Sequence, residues 1–231
     1  MKFPASYIGE YNTRLEFFRT KAREFLSSWE QQISTGTTIF AMLSEDEKSA
    51  IIASDGRVSM ENFSMDEEFR KIKECRIGFI GFAGSLGGAQ LAVPEFIANL
   101  NKFCDTRNRP ITASGAASML FQYHRALTGN ENSAVSFLGL FWDFKERKCY
   151  LYLLAGGAHI RKSRWVIGSG AQSVGLSYVK DLEPAKSRND LLARARQTIA
   201  KAASADNATN VHMFYGLIEN GSYSSGEEVL R

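Results

Sequence analysis

The sequence is poor in the residues on which many enzyme sites and secreted scaffolds depend: 231 residues contain three cysteines, three histidines and four prolines. Cys75, Cys104 and Cys149 are odd in number and far apart, with neither a CxxC metal knuckle nor a framework spacing, so buried reduced thiols are expected. His124, His159 and His212 are scattered without HExxH or any other paired spacing and read as satisfied or surface imidazoles. No run approaches the roughly 18 consecutive apolar residues of a membrane span. The start Met1-Lys2-Phe3-Pro4 leads into a charged segment rather than an apolar signal region, and a cytoplasmic address is expected. Charge of one sign is not concentrated: 28 basic and 25 acidic residues leave a net +3 with no dense cationic block, so neither nucleic acid nor a membrane is an expected partner. No GxxxxGK(S/T) phosphate loop occurs, Gly168-Ser169-Gly170 with Gly175 lacks the dinucleotide spacing, and Gly81-Phe82-Ala83-Gly84-Ser85 is not a GxSxG nucleophile elbow. No cofactor and no metal are indicated.

What is present is an ordinary globular composition, 44% hydrophobic and 23% charged, long enough for one sizeable domain. Residues 12–33 predict an amphipathic helix, with Leu15, Phe18, Ala22, Phe25, Leu26 and Trp29 recurring at three- and four-residue spacing. From Thr37 the pattern changes to short β-rich runs, which places a boundary at Ser34-Thr35-Gly36. Strands are expected at 38–43 and 49–54 around a polar turn, then at 70–74 and 77–83. Two helices follow, one running to Phe103 with Pro94 weakening its first turn and one at 113–127. Strands are expected again at 134–144, 148–154 and 160–167, then a helix at 187–205 capped by its Ser-Arg-Asn-Asp start, and a last strand at 211–218. Blocks of strands, two helices, strands, a helix and a strand argue for a layered α+β architecture.

Gly36-Thr37-Thr38-Ile39 is the most informative segment. A threonine at a strand start is ordinarily a β-branched residue on a pleated surface. Cutting the Gly36–Thr37 bond would put a hydroxyl and a free α-amine on one residue, the nucleophile-plus-base pair that amide hydrolysis needs.

The ordered set around it carries a resemblance. Gly36-Thr37-Thr38 is followed by a strand, a turn and a strand ending in Ala53-Ser54-Asp55-Gly56-Arg57, then by Arg70-Lys71-Ile72, with Lys71 sixteen residues after Asp55. Gly81-Phe82-Ala83-Gly84, Ile167-Gly168-Ser169-Gly170-Ala171 and Ala205-Asp206-Asn207-Ala208-Thr209 come next in order. This set resembles the β-type subunits of the proteasome, and also HslV, the bacterial proteasome-like peptidase. The longer segment between Phe103 and Ile167 favours the proteasome type or one of its bacterial homologues. One departure stands out: Thr209-Asn210-Val211 replaces the Ser-Gly-Gly that usually follows the late Asp.

The resemblance implies a four-layer αββα sandwich of the N-terminal-nucleophile hydrolase type. It implies residues 1–36 as a leader or propeptide with its amphipathic helix, removed at Gly36–Thr37, and residues 37–231 as a single peptidase domain. Thr37 would be the nucleophile, its α-amine having a reference pKa of about 7.7–8.0 that suits proton transfer. Lys71 would stabilise charge on its Oγ, and Asp55 would orient and compensate that ammonium. Ser169, Asp206 and Thr209 would support the amine, the backbone N–H of Gly84 would serve the oxyanion, and Val58 and Phe82 would contact substrate. The implied substrates are peptides or unfolded proteins, and the implied partners are identical subunits in stacked six- or seven-membered rings, fed by an ATP-dependent unfoldase. Two rival readings remain: an amidase of the same class acting on small amides, and a noncatalytic ring subunit that keeps its leader.

Overall fold

The computed structural model describes residues 5–26, 34–35, 37–60, 63–107, 110–127 and 135–230. In chain order these form α1 (Ala5–Leu26), β1 (Ser34–Thr35), β2 (Ile39–Leu43), β3 (Ser49–Asp55), β4 (Val58–Met60), β5 (Phe63–Asp66), β6 (Ile72–Cys75) and β7 (Gly78–Ser85). The helices α2 (Leu86–Arg107) and α3 (Ala113–Leu127) follow, then β8 (Val135–Asp143), β9 (Lys148–Ala155), β10 (Ala158–Lys162) and β11 (Arg164–Ile167). The chain continues through α4 (Gly170–Val174), α5 (Leu176–Asp181), α6 (Arg188–Ala205), β12 (His212–Glu219) and β13 (Ser222–Val229).

Two antiparallel sheets are stacked between helices. One runs β1-β7-β8-β9-β10, with β6 also on β7, and the other runs β11-β2-β3-β12-β13. Their central strands are apolar on both faces, so alternate side chains enter different cores. In β2, Ile39, Ala41 and Leu43 point between the sheets, while Phe40 and Met42 point to the helices beyond. In β9, Cys149, Leu151 and Leu153 face the other sheet, and Tyr150, Tyr152 and Leu154 face the helices on the opposite side. Three clusters result: one under α1, α2 and α3, one between the sheets, and one under α4, α5 and α6. This is the four-layer αββα sandwich, a mixed α+β architecture.

Several expected elements differ in extent. The first helix, expected over 12–33, is described over Ala5–Leu26 with Leu15, Phe18 and Ala22 as its buried stripe; residues 27–33, Trp29 among them, lie outside the described residues. Pro94 sits in the interior of α2 rather than its first turn, because the helix already starts at Leu86. The single strand expected at 160–167 is two strands in different sheets: β10 pairs with β9, and after Ser163 the chain crosses over so that β11 pairs with β2. Beyond the strand expected at 211–218, β13 adds an edge with none of its residues fully buried. Its Ser-Tyr-Ser-Ser-Gly-Glu-Glu-Val sequence has little apolar content and owes its strand conformation to pairing with β12. The short helices α4 and α5, separated by Gly175, are too brief to show a periodic pattern. Among the described residues all three cysteines are buried and free.

Candidate active site

Four segment ends meet at one edge of the five-stranded sheet. In register, Ile39 at the start of β2 lies between Ser54 near the end of β3 and Ile167 at the end of β11, and Asp55 faces Met213 at the start of β12. Thr37–Thr38, Asp55, Gly168–Ser169 and Asp206–Asn210 are therefore delivered to one place by antiparallel pairing. Gly84 ends β7 in the other sheet, and Lys71 immediately precedes β6.

Thr37 is fully buried, and its Oγ1 has no hydrogen-bond partner among the described residues. Its backbone N–H donates to Ser169 Oγ at 3.0 Å. Ser169 Oγ in turn donates to Asp206 Oδ2 at 2.7 Å, and Thr209 Oγ1 donates to the same oxygen, also at 2.7 Å. Thr209 Oγ1 further lies 2.8 Å from Thr38 Oγ1, closing a chain of hydroxyls around the Thr37–Thr38 backbone. Ser169 stands where a serine ordinarily caps a helix, yet it makes no such cap at the start of α4. Its hydroxyl is aimed at Thr37 instead. Asp206 closes α6 with its N–H on the Ala202 carbonyl at 2.8 Å, and its Oδ1 accepts from Ala208 N–H at 3.0 Å, which fixes the carboxylate's direction.

Two glycines let the backbones approach. Gly168 has φ +98°, and a Cβ there would meet the Thr37 carbonyl oxygen at 2.0 Å; a Cβ on Gly170 would meet Thr38 Oγ1 at 1.9 Å. Gly168→Ala is expected to strain the turn by about 1–3 kcal/mol and to displace Thr37. Denaturant unfolding should read that cost, because the added Cβ meets backbone rather than the end of a flexible side chain.

The second part of the site is a buried ion pair. Lys71 Nζ is 2.9 Å from Asp55 Oδ1, and both side chains are wholly removed from solvent. Asp55 Oδ1 also accepts from Thr38 N–H at 2.7 Å, and its Oδ2 accepts from Arg57 N–H at 2.9 Å. Burial pushes the Asp55 carboxyl up and the Lys71 ammonium down from their ordinary values, with the attraction between the two the main opposing influence. The backbone donors and the pairing are what keep such charges tolerable inside a protein.

Asn210, the departure noted in the sequence, has an extensive role in this neighbourhood. Its Oδ1 accepts from Gly56 N–H at 2.9 Å, and its Nδ2 donates to the Glu67 carbonyl at 2.8 Å and to Glu67 Oε2 at 2.7 Å. Arg57 Nε donates to the Glu67 carboxylate at 3.0 Å and 3.1 Å, and its guanidinium reaches the Asn207 carbonyl. The loop after Asp55 is thus clamped to the loop before β12. Sequence reasoning did not assign Asn210, Glu67 or Thr38; a polar side chain where the resemblance has glycine was the available signal. Asn210→Ala should leave the buried Gly56 N–H without an acceptor and cost about 1–3 kcal/mol in denaturant melts. Asn210→Asp keeps the acceptor but loses the donor and faces Glu67 with a like charge, so it should not rescue.

The remaining expected site residues are placed as follows. Gly84 has φ +98° and pairs with Thr35, so residues 34–35 lie as an antiparallel strand beside it, with Ser34 opposite Ser85. Gly36 lies outside the described residues. Val58 and Phe82 are each 2% exposed, Phe82 with its ring in edge contact with Phe69 in the helix-side core. None of the histidines joins the site: His124 is buried with Nε2 on the Val135 carbonyl at 3.0 Å, His159 packs on Phe121, and His212 stacks on Phe214. Among the described residues no cluster of metal-ligating side chains is assembled, and no helix is long and apolar enough to cross a membrane.

A family model described as "Proteasome subunit" matches residues 33–215, from just before Thr37 into β12. No curated protein matches the chain.

Proposed function

Because the chain belongs to the proteasome subunit family, we propose that it is a self-processing threonine endopeptidase with Thr37 as its nucleophile. Membership in the family implies a subunit of a ring-like oligomer with peptidase character. The finer reading adds a leader, residues 1–36, cut from a single peptidase domain, residues 37–231. It also adds identical subunits in stacked six- or seven-membered rings, and an unfoldase that feeds them from the cytoplasm.

The observation that carries the reading is the bond from Thr37 N–H to Ser169 Oγ, backed by Asp206 and Thr209. The nitrogen held there is the one that cleavage would turn into the α-amine. In processing, Thr37 Oγ attacks the Gly36 carbonyl and forms an ester as the C–N bond breaks, and the nitrogen takes up a proton to become the amine. Water then hydrolyses the ester and releases the leader. In turnover the free amine takes the hydroxyl proton while Oγ attacks a substrate carbonyl, then passes it to the leaving amine as the C–N bond breaks; water hydrolyses the ester left on Oγ and restores the hydroxyl. Lys71, held by Asp55, offsets negative charge as it develops near Oγ, and the Gly84 N–H receives the oxyanion.

One observation favours the noncatalytic rival: Leu15, Phe18 and Ala22 of α1 are packed in the core, as a permanently retained helix would be. Denaturing mass spectrometry of purified protein separates the two. A chain beginning at Thr37 is expected, and a Met1 start in assembled, peptide-hydrolysing protein would defeat the mechanism.

A further inference from the structure

The leader is attached at two places with different consequences for the site. At its end, β1 is two residues long and pairs with Gly84 and Ser85 beside Thr37. At its start, α1 lies across α2 and α3, away from that edge. We infer that α1 stays docked after the Gly36–Thr37 bond is cut, as a non-covalent second chain that completes the outer helical core.

The stripe that holds it is continuous. Tyr11, Leu15, Phe18 and Ala22 recur at helical spacing and pack on the residues of α2 and α3; Leu15, Phe18 and Ala22 are 5%, 1% and 0% exposed. Phe18 meets Tyr123 edge-on with ring centroids 4.8 Å apart, and Tyr123, itself fully buried, meets Phe96 edge-on at 6.4 Å. Glu10 pairs with Lys102 of α2 across the same contact. Burial pushes the Tyr11 phenol up to about 12, in keeping with its enclosed position. Loss of α1 would therefore open an apolar trough over Phe96, Tyr123 and their neighbours, a cost set against the freedom that a released peptide regains. The pairing of Ser34 and Thr35 with Ser85 and Gly84 involves no residue of α1. Clearing the site and shedding the helix are separable events.

This inference rests on the proposed cleavage, and the two fail in different ways. Denaturing mass spectrometry of the wild-type full-length product should give two chains, residues 1–36 and 37–231, while native mass spectrometry should give their combined mass within each subunit. Cleaved protein whose native mass contains only residues 37–231, or whose trough is covered by a second copy instead, overturns retention. A single uncut chain under denaturing conditions overturns the processing mechanism. Retention is then read in a full-length variant with a specific protease site placed within residues 27–33: co-elution of both pieces after cutting supports it, and loss of the leader overturns it. Phe18→Asp should release the leader from the cut protein, whereas Phe17→Asp, at a position 59% exposed, should keep it. Retention in Phe18→Asp equal to wild type would also overturn the inference. The wild-type native mass depends on neither variant folding.

Discussion

Replacing Thr37 with alanine is expected to abolish peptide hydrolysis, by roughly 10⁴-fold or more in kcat, and to leave the chain uncut at Gly36. The size of the effect follows from the neighbours. Two neighbouring hydroxyls are committed: Ser169 Oγ serves the Thr37 N–H and Asp206, and Thr38 Oγ1 is bound to Thr209. Neither can be turned to attack without dismantling the support of the other. The fold should tolerate the change, because the hydroxyl removed is buried without a partner among the described residues and the methyl lost is worth about 1 kcal/mol. Thr37→Ser keeps the nucleophile and should retain measurable turnover and processing. The readouts are turnover of a fluorogenic peptide, intact mass and thermal melting. An alanine variant that still cleaves peptide at the wild-type rate would remove Thr37 from the chemistry.

Lys71→Met is expected to cost both activity and stability, and the two losses can be separated. Removing the ammonium leaves the Asp55 carboxylate buried and uncompensated, a change that typically destabilises by about 3–5 kcal/mol. It also removes the charge that would offset negative charge on Thr37 Oγ, and loss of one such preorganised group lowers kcat by on the order of 10²–10³-fold. Asp55→Asn added to Lys71→Met neutralises the orphaned charge and keeps one oxygen, which can serve the Thr38 N–H bound to Oδ1 or the Arg57 N–H bound to Oδ2 but not both. The double variant should therefore recover part of the stability, short of the cost of the one N–H left without an acceptor, and none of the turnover, measured by denaturant unfolding beside peptide hydrolysis. Recovery of activity together with stability would reduce the pair to a structural role.

Much of the layered fold could be read along the chain because its signals are local. The α3 boundaries, the Ser187 cap of α6 with its bond from Asp190 N–H, and the buried stripe Leu191, Leu192, Ala195, Ile199 and Ala202 all follow from helical periodicity and capping chemistry. The hairpin of β2 and β3 was equally legible from apolar runs around a polar turn. Less could be read where conformation depends on a partner elsewhere. The chain's passage between sheets at Ser163 and the addition of β13 are decided by which strand edges stand open, and no window of sequence records that.

For the site, the family resemblance carried by the order of short motifs singled out Thr37, Asp55, Lys71, Ser169 and Asp206. That order could not say which atoms meet. The Ser169 hydroxyl on Thr37 N–H, the shared Asp206 oxygen and the Asn210 clamp on Gly56 and Glu67 join residues up to 154 positions apart. They exist because antiparallel pairing brings the ends of β2, β3, β11 and β12 to one edge. Likewise, periodicity alone marked α1 as an amphipathic helix, but only the tertiary structure decided where its apolar face is buried. The sequence by itself determined the local conformations and the inventory of reactive groups, since both are properties of neighbours along the chain. The tertiary structure decided contact, burial and charge compensation, since those depend on which distant surfaces exclude water together.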